Sequence, residues 1–412
     1  MINQNSYAKT LAWPTLGFFI GFAGLSIYGP LVPKFIHLMH LTPLDAGLLA
    51  AIANLSGSLL RLPFGAWADR RGFKLPFLTL LTAAVLGLLG IVWVMATHYP
   101  HHMNGLFPLL LILGFLVGAG IATFPVGIAQ VSQAAPHTRQ GTALALYAGL
   151  GNLAPGIFAL LLPFAFAHIG LIPAYSLWAL LMLIGIGIYA RESPSVALLK
   201  PNKTDSPFLT ALRTAATWPL TFLYFISFGG FLALVAWLPS FWVGTFHVPL
   251  VKAGLFTLLF TLTTSLIRIV GGWLADRISP TLVIAGSLLA VAFGAAFVTQ
   301  SGTVTDAMIS VLLIAVGMGI QNGAVFKIVP FRIPHAVGGA AGIIGGLGAL
   351  GGFIIPPVMA MVGGVHHAPT SFIILTILAL MGLGALVYLN RPSLNPQSLL
   401  KSETALDLDL ES

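Results

Sequence analysis

The chain has 412 residues, 58% of them hydrophobic and only 7% charged, with a formal net charge of +8 and no cysteine. A soluble domain carries about 25% charged residues, so this chain cannot clothe itself in water. Disulfides, thiolate metal sites and cysteine nucleophiles are excluded as well. A membrane-crossing helix needs about 20 mostly apolar residues, and twelve such stretches follow one another. They run at roughly 12–33, 46–67, 76–97, 106–131, 140–163, 172–190, 218–240, 252–274, 281–300, 306–329, 338–361 and 370–389. Their apolar runs are continuous rather than alternating, which predicts helices and not barrel strands. Lys9 precedes the first stretch as in a signal peptide, but the run is too long. Pro30 and Pro33 stand where a small-residue cleavage site belongs, so a retained helix is expected.

Loop charge predicts orientation. With the N-terminus inside, thirteen Lys and Arg fall in inner segments and two, Lys34 and Lys252, in outer loops. The positive-inside rule then puts both termini in the cytoplasm. The basic balance is explained without nucleic acid as a partner; the bilayer is the partner, and a monomer is expected. The longest inner loop, 191–217, is polar and contains proline. It divides the chain into a six-helix bundle at 1–190 and a second at 218–390. The tail at 391–412 is expected to be solvated and disordered. The fold class is an all-α membrane protein of twelve helices in two pseudo-symmetric halves.

The halves repeat. "RLPFGAWADR" at 61–70 and "RIVGGWLADR" at 268–277 share the frame Arg-x3-Gly-x3-Asp-Arg, 207 residues apart. "GAGI" at 118–121 is echoed by "GMGI" at 317–320, and "GLGNLAPG" at 149–156 by "GLGALGGF" at 346–353. Internal repeats of this size build secondary transporters, with the binding site at the midplane between the halves.

These residues carry a resemblance. "GAWADRRGFK" at 65–74 resembles the loop 2–3 signature of the major facilitator superfamily, with a weaker copy in "GGWLADRIS". "AGLGNLAPG" and "GGLGALGGFIIP" resemble the paired glycine-rich signatures of its nitrate/nitrite porter family. "NGAVFKIVP" at 322–330 is similar to helix 10 of the family's assimilatory members. The resemblance covers about residues 12 to 390. It implies a carrier with the major facilitator fold, with Phe124, Tyr224 and Phe228 as cavity aromatics. It makes Gly149, Gly151, Gly346 and Gly348 signature glycines, with Gly156 and Gly352 beside them, that let helices 5 and 11 approach and slide. Asn152 belongs to the helix 5 signature, where helix 11 has Ala349, so the halves are not chemically equivalent. Asn322 lies in the helix 10 segment.

The charges inside helices carry the chemistry. Arg61 and Arg268 lie eight residues deeper than Asp69 and Asp276, about 12 Å along a helix and near the middle of the hydrocarbon core. Intramembrane arginines face a cavity rather than lipid. None of the ten Asp and Glu falls at that depth, so the counterion is expected to be an external anion. Guanidinium is planar and always charged, and offers a fork of donors suited to planar oxyanions. Nitrate and nitrite fit, being planar, small and weakly hydrated. A structural arginine bound to backbone carbonyls is the alternative for either residue alone. Asp69, Arg70, Asp276 and Arg277 read as a gate at the inner ends. Lys327 lies near the inner end of helix 10, and either snorkels, draws anions inward or takes part in coupling. The paired histidines at 101–102 and 366–367 lack metal-site spacing. No Walker A loop occurs, so ATP is not the energy source, and no cofactor is expected. Arg cannot release a proton and no midplane carboxylate is available, so nitrate/nitrite exchange is expected. Proton-coupled uptake through Lys327 is one alternative, and a carrier of oxalate, formate or cyanate another. An intramembrane enzyme would need an acid/base or nucleophilic set at depth, and a sensor an output domain; neither is found.

Overall fold

A computed structural model describes residues 4–135, 140–193, 207–364 and 369–391. The tail from 392, residues 194–206 of the linker and the second histidine pair lie outside these residues. The described chain is helical throughout, with twelve helices long and apolar enough to cross a membrane. They are α1 (Lys9–Met39), α2 (Pro43–Arg71), α3 (Lys74–His98), α4 (Phe107–Ala134), α5 (Leu146–Ile169) and α6 (Leu171–Glu192), then α7 (Thr217–Phe246), α8 (Leu250–Arg277), α9 (Pro280–Thr299), α10 (Val304–Arg332), α11 (Pro334–Gly363) and α12 (Pro369–Leu389). Each corresponds to one of the twelve apolar stretches.

Local chemistry sets the ends. At α2, Thr42 and Asp45 form a reciprocal capping box. At α10, the Asp306 amide donates to Thr303 Oγ1 at 3.2 Å. Both satisfy amides that a helix start leaves open. His40 (φ 50) and His247 (φ 53) take the left-handed conformation after α1 and after α7. They occupy equivalent places in the repeat, "HLTPLDAG" and "HVPLVKAG", so the repeat extends to the turns.

Burial orders the helices. The apolar windows of α1 and α7 are 83% and 89% buried, whereas that of α12 is 33% buried. The first two are therefore central and the last peripheral. Outward-facing Leu180 and Ile184 on α6, Phe293 and Phe297 on α9, and Leu380 and Val387 on α12 are exposed. In water such faces drive aggregation; against lipid they are the required surface.

Irregular backbone gathers on helices that reach the centre. α1 contains a 3-10 turn at Ala23–Ser26, α4 one at Ala119–Ala122, and α7 a π segment at Phe225–Gly229. Single π turns inside helices are frequent at functional sites. α2 is interrupted at Leu60, immediately before Arg61. Pro63 has no amide to offer the Leu59 carbonyl, which accounts for the interruption.

The halves meet through two pseudo-equivalent helix pairs, α2 with α11 and α8 with α5. A Cβ on Gly47 of α2 would lie 2.6 Å from Pro357 Cα of α11. One on Gly254 of α8, the repeat-mate of Gly47, would lie 2.9 Å from Leu160 Cα of α5. Asn54 Nδ2 donates to the Gly352 carbonyl at 3.0 Å across the first pair. Thr261, its repeat-mate, packs on Gly156 across the second. These contacts lie toward the membrane side away from the chain termini. On the terminal side the ion pairs stay within one half: Lys9–Glu192 joins α1 to α6, and Lys327–Asp276 joins α10 to α8.

Candidate functional site

Arg61 enters the interface at the interruption in α2 and is 5% exposed. Its Nε donates to the Gly57 carbonyl at 3.1 Å, and its Nη1 crosses to the Gly345 carbonyl of α11 at 3.0 Å. Its Cζ lies 5.4 Å from the Phe124 ring centroid and 5.2 Å from that of Phe228. Such contacts attract a cation, the more so once it is desolvated. Nη2 is buried and has no partner. The arginine is thus anchored by two carbonyls and two aromatic faces, yet its charge is not neutralised by any carboxylate. Among the described residues no ion pair includes Arg61 or Arg268.

The aromatics form two sets. In the first half Phe18 packs against Phe124 and Tyr147, with both centroid distances 5.1 Å. The Tyr147 hydroxyl donates to the Phe124 carbonyl, which fixes the wall under Arg61. In the second half Tyr224 and Phe228 stack at 5.0 Å and 14° across the π segment. Tyr224 also meets Phe326 edge-on at 4.9 Å.

Arg268 lies in a small cavity with Asn152, Phe228, Phe231, Thr264, Ser265 and Asn322. The cavity is tight, with about 170 Å³ of space not filled by atoms, part of it continuous with its surroundings. Phe228 links the two arginines, lying against Arg61 and lining the Arg268 cavity. Arg268 Nη1, Ser265 Oγ, Asn152 Oδ1 and Asn322 Oδ1 are all buried without a hydrogen-bond partner. A buried polar group left unpaired costs about 1–3 kcal/mol, and four around one cavity mark a place where a small polar species belongs.

The structure brings most of the sequence-derived residues together and separates others. Arg61, Phe124, Phe228, Arg268, Asn152 and Asn322 converge on the interface of the halves, with Tyr224 stacked behind Phe228. The signature glycines divide. A Cβ on Gly151 would fall 2.0 Å from the Phe18 ring, and one on Gly348, its repeat-mate, 2.9 Å from that of Tyr224. Gly149 has open space around it, and Gly346 only ordinary contact with Leu62. So one glycine of each signature lets an aromatic of α1 or α7 press on α5 or α11. Lys327 does not approach the arginines; its Nζ pairs with Asp276 at the terminal end of α8. Arg277 lies over Trp273 at 4.2 Å. Asp69 and Arg70 are exposed and join none of the ion pairs. Sequence reasoning missed Phe231, Thr264, Ser265 and the Gly345 carbonyl. Ser265 had a signal: it stands three residues before Arg268, as Ser58 stands before Arg61.

The model of the Major Facilitator Superfamily matches residues 15–356. A Thermus thermophilus protein named "Probable nitrate/nitrite antiporter NarK1" is 31% identical, with 90% of this chain and 89% of that one covered. The "Nitrite extrusion protein" of Bacillus subtilis is 28% identical over 88% of each chain. Among solved structures, a D-xylose-proton symporter superposes with a TM-score of 0.73 at 14% identity, covering 95% of this chain and 98% of that one; it attests the fold alone. The chain belongs to the major facilitator superfamily and, within it, to the nitrate/nitrite porter family.

Proposed function

We propose that this protein carries nitrate and nitrite across the bacterial cytoplasmic membrane by alternating access, as an exchanger. One observation carries the reading: two arginines from equivalent helices, at the interface of the halves, with no carboxylate paired to either among the described residues. The resident charge calls for an anion, and the cavity beside Arg268 gathers the unpaired donors Arg268 Nη1 and Ser265 Oγ that an anion would meet as the site widens. The names of the relatives agree with that chemistry. Arg61 and Arg268, with the donating Nδ2 groups of Asn152 and Asn322, are the polar contacts, and Phe124, Phe228 and Tyr224 the walls.

Both termini are cytoplasmic in this reading, because the inner segments hold thirteen basic residues against two. The α2–α11 and α8–α5 contacts then lie on the periplasmic side, and the Arg61–Gly345 bond joins the halves nearer the cytoplasm. Transport needs no second subunit, since both arginines come from one chain. Exchange is favoured over proton symport because Lys327, at the inner end of α10, is paired with Asp276 and not held beside the arginines. The test is uptake of labelled nitrate into proteoliposomes loaded with nitrite or with no permeant anion. Uptake that requires internal nitrite supports exchange. Robust entry into anion-free vesicles, accelerated by an inward proton gradient, overturns it.

A further inference from the structure

We infer that Ser265 is a substrate-binding residue, and that its hydroxyl gives the site a third donor that distinguishes a three-oxygen anion from a two-oxygen one. The inference rests on the nitrate/nitrite reading above and extends it to a residue that reading does not use.

The observation begins with neighbouring hydroxyls on α8. Thr257, Thr261 and Thr264 donate to the carbonyls of Ala253, Thr257 and Phe260, each at 2.9 Å. This is the ordinary way a buried helical hydroxyl satisfies itself. Ser265 does not do so. It is 7% exposed, its Oγ has no partner, and it lines the Arg268 cavity. Residues three apart share a helix face, so Ser265 Oγ and Arg268 Nη1 both serve the same space. The other half repeats the pattern. Ser58, three residues before Arg61, is 2% exposed with its Oγ unpartnered. Arg61 Nη2 is unpartnered as well. An unsatisfied hydroxyl beside an unsatisfied guanidinium nitrogen, at the same place in both repeats, is not explained by packing within either half.

A serine hydroxyl can rotate to donate, and an anion accepts that bond more strongly than a neutral group does. A guanidinium can address two oxygens of either anion. The third oxygen exists only in nitrate; in nitrite a hydroxyl in that direction meets the nitrogen lone pair, a poorer acceptor. Removing the hydroxyl should therefore weaken nitrate more than nitrite.

The experiment compares wild type, Ser265→Ala and Thr257→Val in proteoliposomes, with half-saturating concentrations measured for nitrate and for nitrite. Thr257 is buried on the same helix with its hydroxyl already satisfied, so Thr257→Val controls for the loss of a helical hydroxyl. Ser265→Ala is expected to raise the nitrate value about tenfold, the size of one hydrogen bond to a charged group. The nitrite value should stay within about twofold, and Thr257→Val should change neither. An unchanged nitrate value, or equal weakening for both anions, overturns the assignment of Ser265 and leaves the transport reading intact. Failure of the wild-type protein to transport either anion overturns the transport reading, and this inference with it. Monodisperse elution of Ser265→Ala in detergent, matching wild type, attributes any loss to the site and not to folding.

Discussion

Arg268→Lys separates binding from folding more cleanly than any other change at the site. Arg268 Nη1 is buried and has no partner in the protein, so the substitution leaves no protein acceptor bare. The charge stays and the depth is similar, but the planar fork is lost. A charge-assisted hydrogen bond is worth about 1.5–3 kcal/mol, so losing one should weaken nitrate binding by roughly 10- to 150-fold. Arg61→Lys should do more. It also breaks the donations to Gly57 and Gly345 and the contacts with Phe124 and Phe228. Part of its effect should appear as lowered thermal stability in detergent. The assay pairs nitrate counterflow in proteoliposomes with melting curves. Arg268→Lys is expected to abolish most transport at submillimolar nitrate while melting like wild type. Wild-type half-saturation in Arg268→Lys would refute the proposal that this guanidinium binds the anion. A large loss of stability would refute the claim that the fold does not depend on it.

Three further outcomes are expected. Gly151→Ala places a methyl 2.0 Å from the Phe18 ring, whereas Gly149→Ala meets nothing within 4 Å. The first should therefore lower stability by about 1–3 kcal/mol and slow transport, while the second leaves both near wild type, as melting curves and initial rates will register. Lys327→Ala removes a pair whose side chains are 44% and 58% exposed; exposed pairs are worth about 0–1 kcal/mol, so exchange should persist with an unaltered pH profile of uptake. Nitrite inside the vesicles should accelerate nitrate entry by at least about tenfold over anion-free vesicles, because two uncompensated charges slow the empty carrier's return; equal rates would exclude exchange.

Much of this architecture was legible in the chain because the bilayer imposes length and polarity directly. Each apolar stretch had to be a helix, since no other open structure satisfies its backbone in lipid. Arg61 and Arg268 stood out for the same reason: a charge at that depth needs a purpose. What depends on how the helices pack was not legible. Gly149 and Gly151 belong to one signature, yet only the second lies under an aromatic ring. Lys327 and Asp276 are 51 residues apart and meet only because α8 and α10 pack side by side. The partner that holds Arg61 across the interface is the Gly345 carbonyl, and a backbone acceptor leaves no trace in composition. Ser265 was passed over because serine in a helix ordinarily bonds to its own backbone, and only the structure reveals that it does not.

The symmetry of the interface and the asymmetry of the site together bear on why exchange should prevail. Gly47 on Pro357 and Gly254 on Leu160 are equivalent close approaches, so the halves can rock about matching contacts. The chemistry between them is not matched: the position of Asn152 in α5 is held by Ala349 in α11. Both repeats nonetheless bring an arginine, and closure on either side draws these charges into a drier space. As an order of magnitude, any two unit charges held about 8 Å apart at an effective dielectric of 20 repel by about 2 kcal/mol. A barrier raised by that much slows reorientation by about thirtyfold. One bound monovalent anion offsets the repulsion. Arg61 already spans to Gly345 on the terminal side, so each crossing must release and remake that bond while the charge is still present. The loaded carrier crosses with its charge compensated and the empty one does not. A site built from two arginines and no carboxylate therefore returns faster with an anion than without one.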